Sequence, residues 1–220
     1  MRLESLSTFI IDRLVFRKEP KDKHVIRLSV TQDKEWFKSY SEDAPVELPP
    51  SNSSELVKLE LLDMAIERAS TKKPAKLEHK YDDDFMWAFK ELVKSNDLQW
   101  SNKYFKYLIK AASDRIIRLK YKYNRPRPYQ LAPHHNVDVN VFGSETAKTP
   151  SFPSGHTAQS RLVAKIIGDV YPQLKEDAMK IADDVSKSRI VGGHHFKSDI
   201  EFGEKIGDWL YNNLVKEWKK

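Results

Sequence analysis

The sequence predicts an all-α fold, a single-domain helical bundle. Three observations carry this. Apolar residues recur at helical spacing in successive segments from about residue 54 to about residue 218. Prolines, glycines and N-capping residues fall where those segments begin and end. Alternation of apolar and polar residues, the mark of a half-buried strand, is confined to one short stretch near the N-terminus.

The chain has 220 residues, enough for one sizeable domain. Hydrophobic residues make up 40% and charged residues 32%, so a core is affordable beneath a well-solvated surface. Two regions are expected: an N-terminal extension over 1–47 and a helical domain over 48–220. Within the extension, Val25-Ile26-Arg27-Leu28-Ser29-Val30 alternates and reads as a short strand or an extended arm. Glu35 to Tyr40 reads as a short helical turn.

The elements then follow in order. Leu48-Pro49-Pro50 breaks the chain, and Ser51 to Ser54 supplies N-cap candidates. A helix follows with Leu56, Leu59, Leu61, Leu62, Ala65 and Ile66 expected toward the core, ending at Ser70-Thr71-Lys72-Lys73-Pro74. Asp82-Asp83-Asp84 is expected to open the next helix, where the macrodipole favours acid. That helix carries Phe85, Trp87, Ala88, Phe89, Leu92 and Val93, an aromatic stripe read as core. A longer helix from about Ser101 to about Tyr121 ends against Pro126 and Pro128. Residues 129–152 show no period and read as a long loop, a kind that often carries function. Three more helices are expected, over about 156–170, 174–190 and 198–218. The total is about six to eight helices.

Composition narrows function less than it narrows fold. There is no cysteine, so neither disulfides nor thiolate metal sites are available. The formal net charge is +6 and the pI about 9.2, which favours anionic partners: phosphate esters, nucleic acid or acidic membranes. No apolar run approaches the roughly 18 residues of a spanning helix. Charges interrupt the apolar run of residues 1–13 before a signal-peptide core forms. The expected location is therefore cytoplasmic, or periplasmic if a leader has been removed.

Chemistry concentrates in three stretches. The first is Lys120 to Pro128, with two Arg-Pro pairs whose prolines stiffen the chain around each guanidinium. Guanidinium binds phosphate oxygens bidentately and ammonium binds them as a point charge. Alone, this Lys- and Tyr-rich stretch favours a basic surface that solvates the helix or touches nucleic acid. The second is Pro153-Ser154-Gly155-His156, a turn opening a helix and so presenting backbone N–H groups to an anion. Ser154 reads as an anion ligand or merely as an N-cap. The third runs from Ser188 to Asp199 and holds Arg189, Gly192-Gly193, His194-His195 and Asp199. Four residues apart on a helix, His195 and Asp199 would share a face. A carboxylate on one imidazole nitrogen leaves the other as an oriented nucleophile or base. The glycines allow close backbone approach or positive φ. His134-His135, His156 and His194-His195 show no local metal-ligand spacing, so no metal site is expected.

The three stretches occur together and in order: Lys120-x6-Arg127-Pro128, Pro153-Ser154-Gly155-His156, and Ser188-Arg189-x5-His195-x3-Asp199. In this the chain resembles the type 2 phosphatidic acid phosphatase superfamily, and most of all the soluble bacterial class A non-specific acid phosphatases, relatives of the vanadium-dependent haloperoxidases. The resemblance spans about residues 48–215, and the first forty or so residues lie outside it. It implies a helical bundle of the acid phosphatase/vanadium haloperoxidase type. It implies a soluble, metal-independent phosphomonoesterase with no cofactor, inhibited by vanadate. His195 would be the nucleophile that forms a phosphohistidine, Asp199 its orienting carboxylate, and His156 the acid and then the base. Lys120, Arg127, Ser154, Gly155 and Arg189 would bind phosphate. A gap of six intervening residues back from Arg127 reaches Lys120, whereas the same gap back from Arg125 reaches Arg118. The register with the family's lysine therefore assigns Arg127. The expected partner is a small phosphomonoester. A homo-oligomer is compatible with this reading, whereas nucleic acid and a membrane span are not expected. Two alternatives stand beside it: a vanadate-dependent haloperoxidase, and a basic helical nucleic-acid-binding module.

Overall fold

The structure, a computed structural model, describes residue 8 and residues 11–16, 44–144 and 146–218. The strand or arm at 25–30 and the turn at 35–40 lie outside the described residues. Among those described, every regular element is helical: α1 Glu55–Ser70, α2 Pro74–Asp82, α3 Met86–Lys94, α4 Asn102–Tyr123, α5 Gly155–Val170, α6 Lys175–Val191 and α7 Lys197–Trp218. No helix among them is long and apolar enough to cross a membrane.

Helix starts follow local chemistry. The hydroxyls of Ser54, Ser101 and Ser154 accept from Val57, Tyr104 and Thr157 N–H groups and so cap α1, α4 and α5. Pro74 opens α2 at a position where its missing N–H costs nothing. The sequence reading did not identify α2 as a helix. Helix α4 ends on Asn124 in the left-handed region, φ 49°. The aperiodic stretch 129–152 contains a helical turn, Pro128–Leu131, and a 3-10 turn, Ala132–His135, before running irregularly to α5.

Helix α5 is the centre, with α6 and α7 packed along it and α4 beside it. Phe89, Leu108, Ile116, Leu162, Val185 and Phe202 belong to one continuous core. Fully burying such a side chain contributes about 1.5–3 kcal/mol. Phe152 and Phe202 stack at 4.6 Å, tying the chain just before α5 to α7. At Gly203 a Cβ would sit 2.8 Å from the Ser154 carbonyl, so only glycine lets α7 come this close to the start of α5.

Three expectations need correcting. Helix α1 buries Val57, Glu60, Leu61 and Met64, whereas Leu56, Leu59, Leu62 and Ile66 are exposed. Its inward face is set by a buried carboxylate, not by the widest apolar arc. Asp82 does not open α3. It ends α2 and is buried, and only Asp84 caps α3, accepting from the Met86 N–H at 2.9 Å. The aromatic stripe is core at Phe85, Ala88, Phe89 and Val93, but Trp87 lies at the surface and donates to the Lys80 carbonyl.

The described part of the N-terminal region is strapped to the bundle. Asn52 Nδ2 donates to the Ile11 and Leu14 carbonyls, and Phe16 is buried with its N–H on the Asn124 carbonyl.

Candidate active site

Helices α3, α4, α5 and α6 and the turn before α7 converge on a cavity of about 360 Å³. Lys120, Arg127, Gly155, His156, Arg189 and His195 all line it, although they come from stretches far apart in sequence.

His195 is not on a helix. Helix α6 ends at Val191, Gly192-Gly193 turns the chain with Gly193 at φ 75°, and α7 begins at Lys197. The His195–Asp199 pair forms because Asp199, in the first turn of α7, reaches back. Its Oδ2 accepts from the Phe196 N–H at 2.9 Å and lies 3.2 Å from His195 Nδ1. Asp199 thus closes the helix start and holds the imidazole with the same oxygen. Carboxylates only accept and guanidiniums only donate, so the partners fix the tautomer. His195 Nδ1–H faces Asp199, and the Nε2 lone pair faces Arg127 Nη1 at 3.0 Å. Burial first, then Arg127, Lys120 and Arg189, hold His195 well below the usual imidazole range and so keep it neutral.

The cations are aimed by carbonyls of the irregular loop. Lys120 Nζ donates to Pro150 O at 2.7 Å and Ser151 O at 3.2 Å. Arg127 Nε donates to Thr149 O at 2.8 Å, and its Nη1 to His194 O at 2.7 Å. Its backbone is fixed by Pro128 and by the Gln130 side chain, which accepts from the Arg127 N–H at 2.9 Å. Burial and the neighbouring Arg189 push Arg127 down to about 10. Burial and Arg127 push Lys120 well below its ordinary range. An anion bound beside these groups would favour their charged forms.

His156 opens α5 at its second position, where N–H groups have no intrahelical partner. Its Nε2–H donates to the Asp82 carbonyl at 3.0 Å, leaving Nδ1 as the lone pair. Burial and Arg189 lower it to about 3, against a smaller upward pull from Asp82. Ser154 is wholly buried. Its hydroxyl accepts from Thr157 Oγ1 at 2.9 Å, and its N–H donates to Asp199 O at 2.9 Å. It therefore acts here as the cap of α5, and the cavity wall at this point is Gly155 and His156.

Sequence reasoning missed four residues. Arg125 lies beneath the site: its Nη1 donates to Asp199 Oδ1 at 2.6 Å and its Nη2 to Glu60 Oε2 at 3.3 Å. Glu60 also accepts from the Ser198 N–H at 2.5 Å, binding α1 to the start of α7. Asp82 Oδ1 accepts from Arg189 Nη1 at 2.7 Å and from the Ser144 and Thr146 hydroxyls, both at 2.8 Å. Burial alone would raise its pKa, but Arg189 and those hydroxyls hold it at about 2, so it stays ionised. Glu78 Oε1 lies 2.8 Å from His194 Nε2, which turns the His194 ring away from the main cavity. The hints in the sequence were the doubled Arg-Pro at 125–128 and the run of three aspartates at 82–84.

The fold also does what the spacing of histidines did not suggest. Among the described residues, Glu78, Asp82 and His194 place potential ligand atoms within 4.8 Å of one another. These groups already answer one another and Arg189: Glu78 pairs with His194 and Asp82 with Arg189. An ion there would have to compete with both pairings.

Comparison with known proteins agrees with this geometry. The PAP2 superfamily sequence profile matches residues 104–210. A non-specific acid phosphatase of Salmonella typhi is 32% identical over 88 residues, 39% of this chain and 34% of that protein. One from Providencia stuartii is 29% identical over 121 residues, 53% of this chain and 47% of that protein. The chain thus spans about a third to a half of the length of the curated relatives it matches. A bacterial vanadium-dependent iodoperoxidase structure superposes with a TM-score of 0.60 at 17% identity, over 81% of this chain and 53% of that one. That likeness is one of fold.

Proposed function

Starting from the PAP2 superfamily domain that residues 104–210 constitute, we propose that this chain is an acid-phosphatase-like phosphoric monoester hydrolase working through a phosphohistidine, without a metal. The observation that carries this reading is the environment of His195. Its Nε2 lone pair opens on a cavity lined by Lys120, Arg127 and Arg189, while Asp199 holds Nδ1–H.

The ester's phosphoryl oxygens take the places that the three cations and the Gly155 N–H address. His195 Nε2 forms a bond to phosphorus as the bond to the alcohol oxygen breaks in line. Asp199 stabilises the positive charge that develops on the ring, and His156 Nδ1–H delivers its proton to the departing alkoxide. Burial first, and then Arg189, keep His156 neutral at physiological pH. An anion among the cations reverses that balance and lets the imidazolium form. In the second step His156 Nδ1 takes a proton from water, the hydroxide oxygen bonds to phosphorus, and the P–N bond breaks to give inorganic phosphate and free His195. Charge spread over the equatorial oxygens in both transition states meets three fixed cations, the role Mg²⁺ fills in other phosphoryl transferases.

The test is hydrolysis of an aryl phosphate by the wild type, His195→Ala and His156→Ala. His195→Ala is expected to be inactive on every ester. His156→Ala is expected to slow alkyl esters far more than aryl esters, whose leaving groups need little protonation. A quench that spares acid-labile bonds should trap label on a histidine. Turnover in His195→Ala, or label on a serine, would overturn the assignment.

A further inference from the structure

We propose that Glu78 is a positioning residue for phosphoryl transfer, acting through the His194 ring to hold the carbonyl that aims Arg127 beside His195. This deepens the phosphatase reading and rests on it.

The residue before the nucleophile is tethered three times. The His194 N–H donates to the Arg189 carbonyl at 3.0 Å. The His194 carbonyl accepts from Arg127 Nη1 at 2.7 Å, and the same nitrogen lies 3.0 Å from His195 Nε2. The third tether is the His194 side chain. Its Nε2–H donates to Glu78 Oε1 at 2.8 Å, since a carboxylate only accepts. Glu78 belongs to α2, 116 residues away in sequence, and both residues are buried.

The backbone is built around this contact. A Cβ at Gly192 would lie 2.5 Å from the His194 ring and 2.8 Å from Glu78 Cγ, so glycine there makes room for the pair. Gly193 follows at φ 75°, and a Cβ on it would meet the Asn140 carbonyl at 2.9 Å. The two glycines thus let the turn after α6 close onto both α2 and the irregular loop.

Packing alone does not account for Glu78. Its Oε2 makes no hydrogen bond, and neither does His194 Nδ1, although both atoms are buried. Buried polar atoms without partners destabilise a fold, and apolar side chains packed in place of a buried ion pair are often as stable or more so. What the pair does hold is the acceptor of Arg127. A second route runs through charge. Burial lowers the Arg189 pKa, and Asp82 and then Glu78 act against that.

Two variants separate these routes. In Glu78→Gln the amide oxygen still accepts from His194 Nε2–H while the charge is gone, whereas Glu78→Leu removes both. With an aryl phosphate, kcat/KM of Glu78→Leu is expected to fall about ten- to a hundredfold, the scale of a displacement of about 1 Å in a catalytic group. Glu78→Gln should keep most of the wild-type value. Alkyl phosphates should show the same pattern, since His156 is untouched. In an Arg127→Ala background Glu78→Leu should add little further loss, because residues acting through one contact are not additive. The same split should appear between His194→Gln, whose amide can donate to Glu78, and His194→Leu. That pair tests the contact from its other end if Glu78→Leu does not fold. Glu78→Leu combined with His194→Leu should melt no lower than the wild type while its kcat/KM stays low. Equal damage from Glu78→Gln and Glu78→Leu would move the effect to the charge on Arg189 and overturn the proposal. So would full multiplication of the Glu78→Leu and Arg127→Ala losses, or a combined variant that melts early yet keeps full activity per folded molecule. Each of these leaves the phosphatase reading intact. Failure of the wild type to hydrolyse any phosphomonoester would overturn that reading and this proposal with it.

Discussion

Arg125 Nη1 lies 2.6 Å from Asp199 Oδ1, at the end of the carboxylate away from His195. Two residues on, Arg127 Nη1 lies 3.0 Å from His195 Nε2. The doubled Arg-Pro therefore grips one His–Asp pair from both ends. Pro126 and Pro128 restrict the residue before each of them, and this keeps the neighbouring guanidiniums on different tasks.

These arginines should fail differently when removed. Arg125→Ala leaves Glu60 and Asp199 as buried carboxylates without their shared cation, and breaking a buried pair costs about 3–5 kcal/mol. Arg127→Ala removes a donor from the cavity, and losing one such transition-state contact costs about 2.7–4 kcal/mol of barrier. Thermal unfolding and kcat/KM measured on both variants should show the larger loss of stability in Arg125→Ala. The larger loss of turnover per folded molecule should appear in Arg127→Ala. The reverse pattern would move the phosphate-binding role to Arg125.

Asp82→Asn should lower kcat/KM although Asp82 touches no phosphoryl oxygen. Its carboxylate holds Arg189 and gathers the Ser144 and Thr146 hydroxyls beside the cavity. The amide keeps the size but not the charge, so Arg189 loses its counter-ion. Its backbone carbonyl, and with it the hold on His156, stays in place. The expected loss is therefore in phosphoryl transfer for aryl and alkyl esters alike, not in leaving-group dependence. A steepened dependence on leaving-group pKa in Asp82→Asn would show that the side chain acts through His156 instead.

The histidines make stability depend on pH. His156 is held at about 3 when folded, against an ordinary value of 6.5, and His195 and His194 are lowered as well. The unfolded chain therefore takes up protons below about pH 6.5 that the folded chain refuses. Stability is complete above that pH and is lost as pH falls through the window from about 6.5 toward 3. Inorganic phosphate, by letting His156 charge, should reduce the loss. Melting temperatures from pH 7 to pH 4, with and without phosphate, check this. A melting temperature that rises toward pH 4 in the absence of phosphate would refute it.

What was legible in the sequence was the chemistry carried by short spacings. Lys120, Arg127, His156, Arg189, His195 and Asp199 sit in three compact runs that, taken together, point to an anion and a held imidazole. What was not legible was everything that depends on distant segments meeting. Asp82 and Arg189 are 107 residues apart, and by local rules an aspartate run before an aromatic stripe reads as a helix cap. Glu60 is a lone carboxylate among the leucines of α1, with no local signal for burial. It faces inward because Arg125 and the Ser198 N–H are there to satisfy it. The loop over 129–152 lacks a period for a reason tied to the site. Irregular backbone leaves the Thr149, Pro150 and Ser151 carbonyls free of helix bonding, and these carbonyls orient Arg127 and Lys120.

Vanadate should inhibit more tightly than phosphate, and activity should survive exhaustive dialysis against EDTA. Vanadate readily becomes five-coordinate. With His195 Nε2 as an axial ligand and Lys120, Arg127 and Arg189 around the equator, it would imitate the phosphoryl transition state, and mimics of that state bind more tightly than ground states. The dialysis arm has a definite place to fail. Glu78, Asp82 and His194 lie within 4.8 Å of one another, and an ion held there would pull on Arg189 through Asp82 and on Arg127 through the His194 backbone. Loss of turnover on dialysis, restored by Zn²⁺ or Mg²⁺ and abolished in Glu78→Gln, would put the metal at that cluster and end the metal-free mechanism. The vanadate-loaded protein should then be assayed for halide oxidation with peroxide, because a pocket that accepts a phosphoryl group would accept vanadate as well. Little halide oxidation beside strong phosphatase turnover is the expected result. Rapid halide oxidation with negligible hydrolysis would make the chain a haloperoxidase.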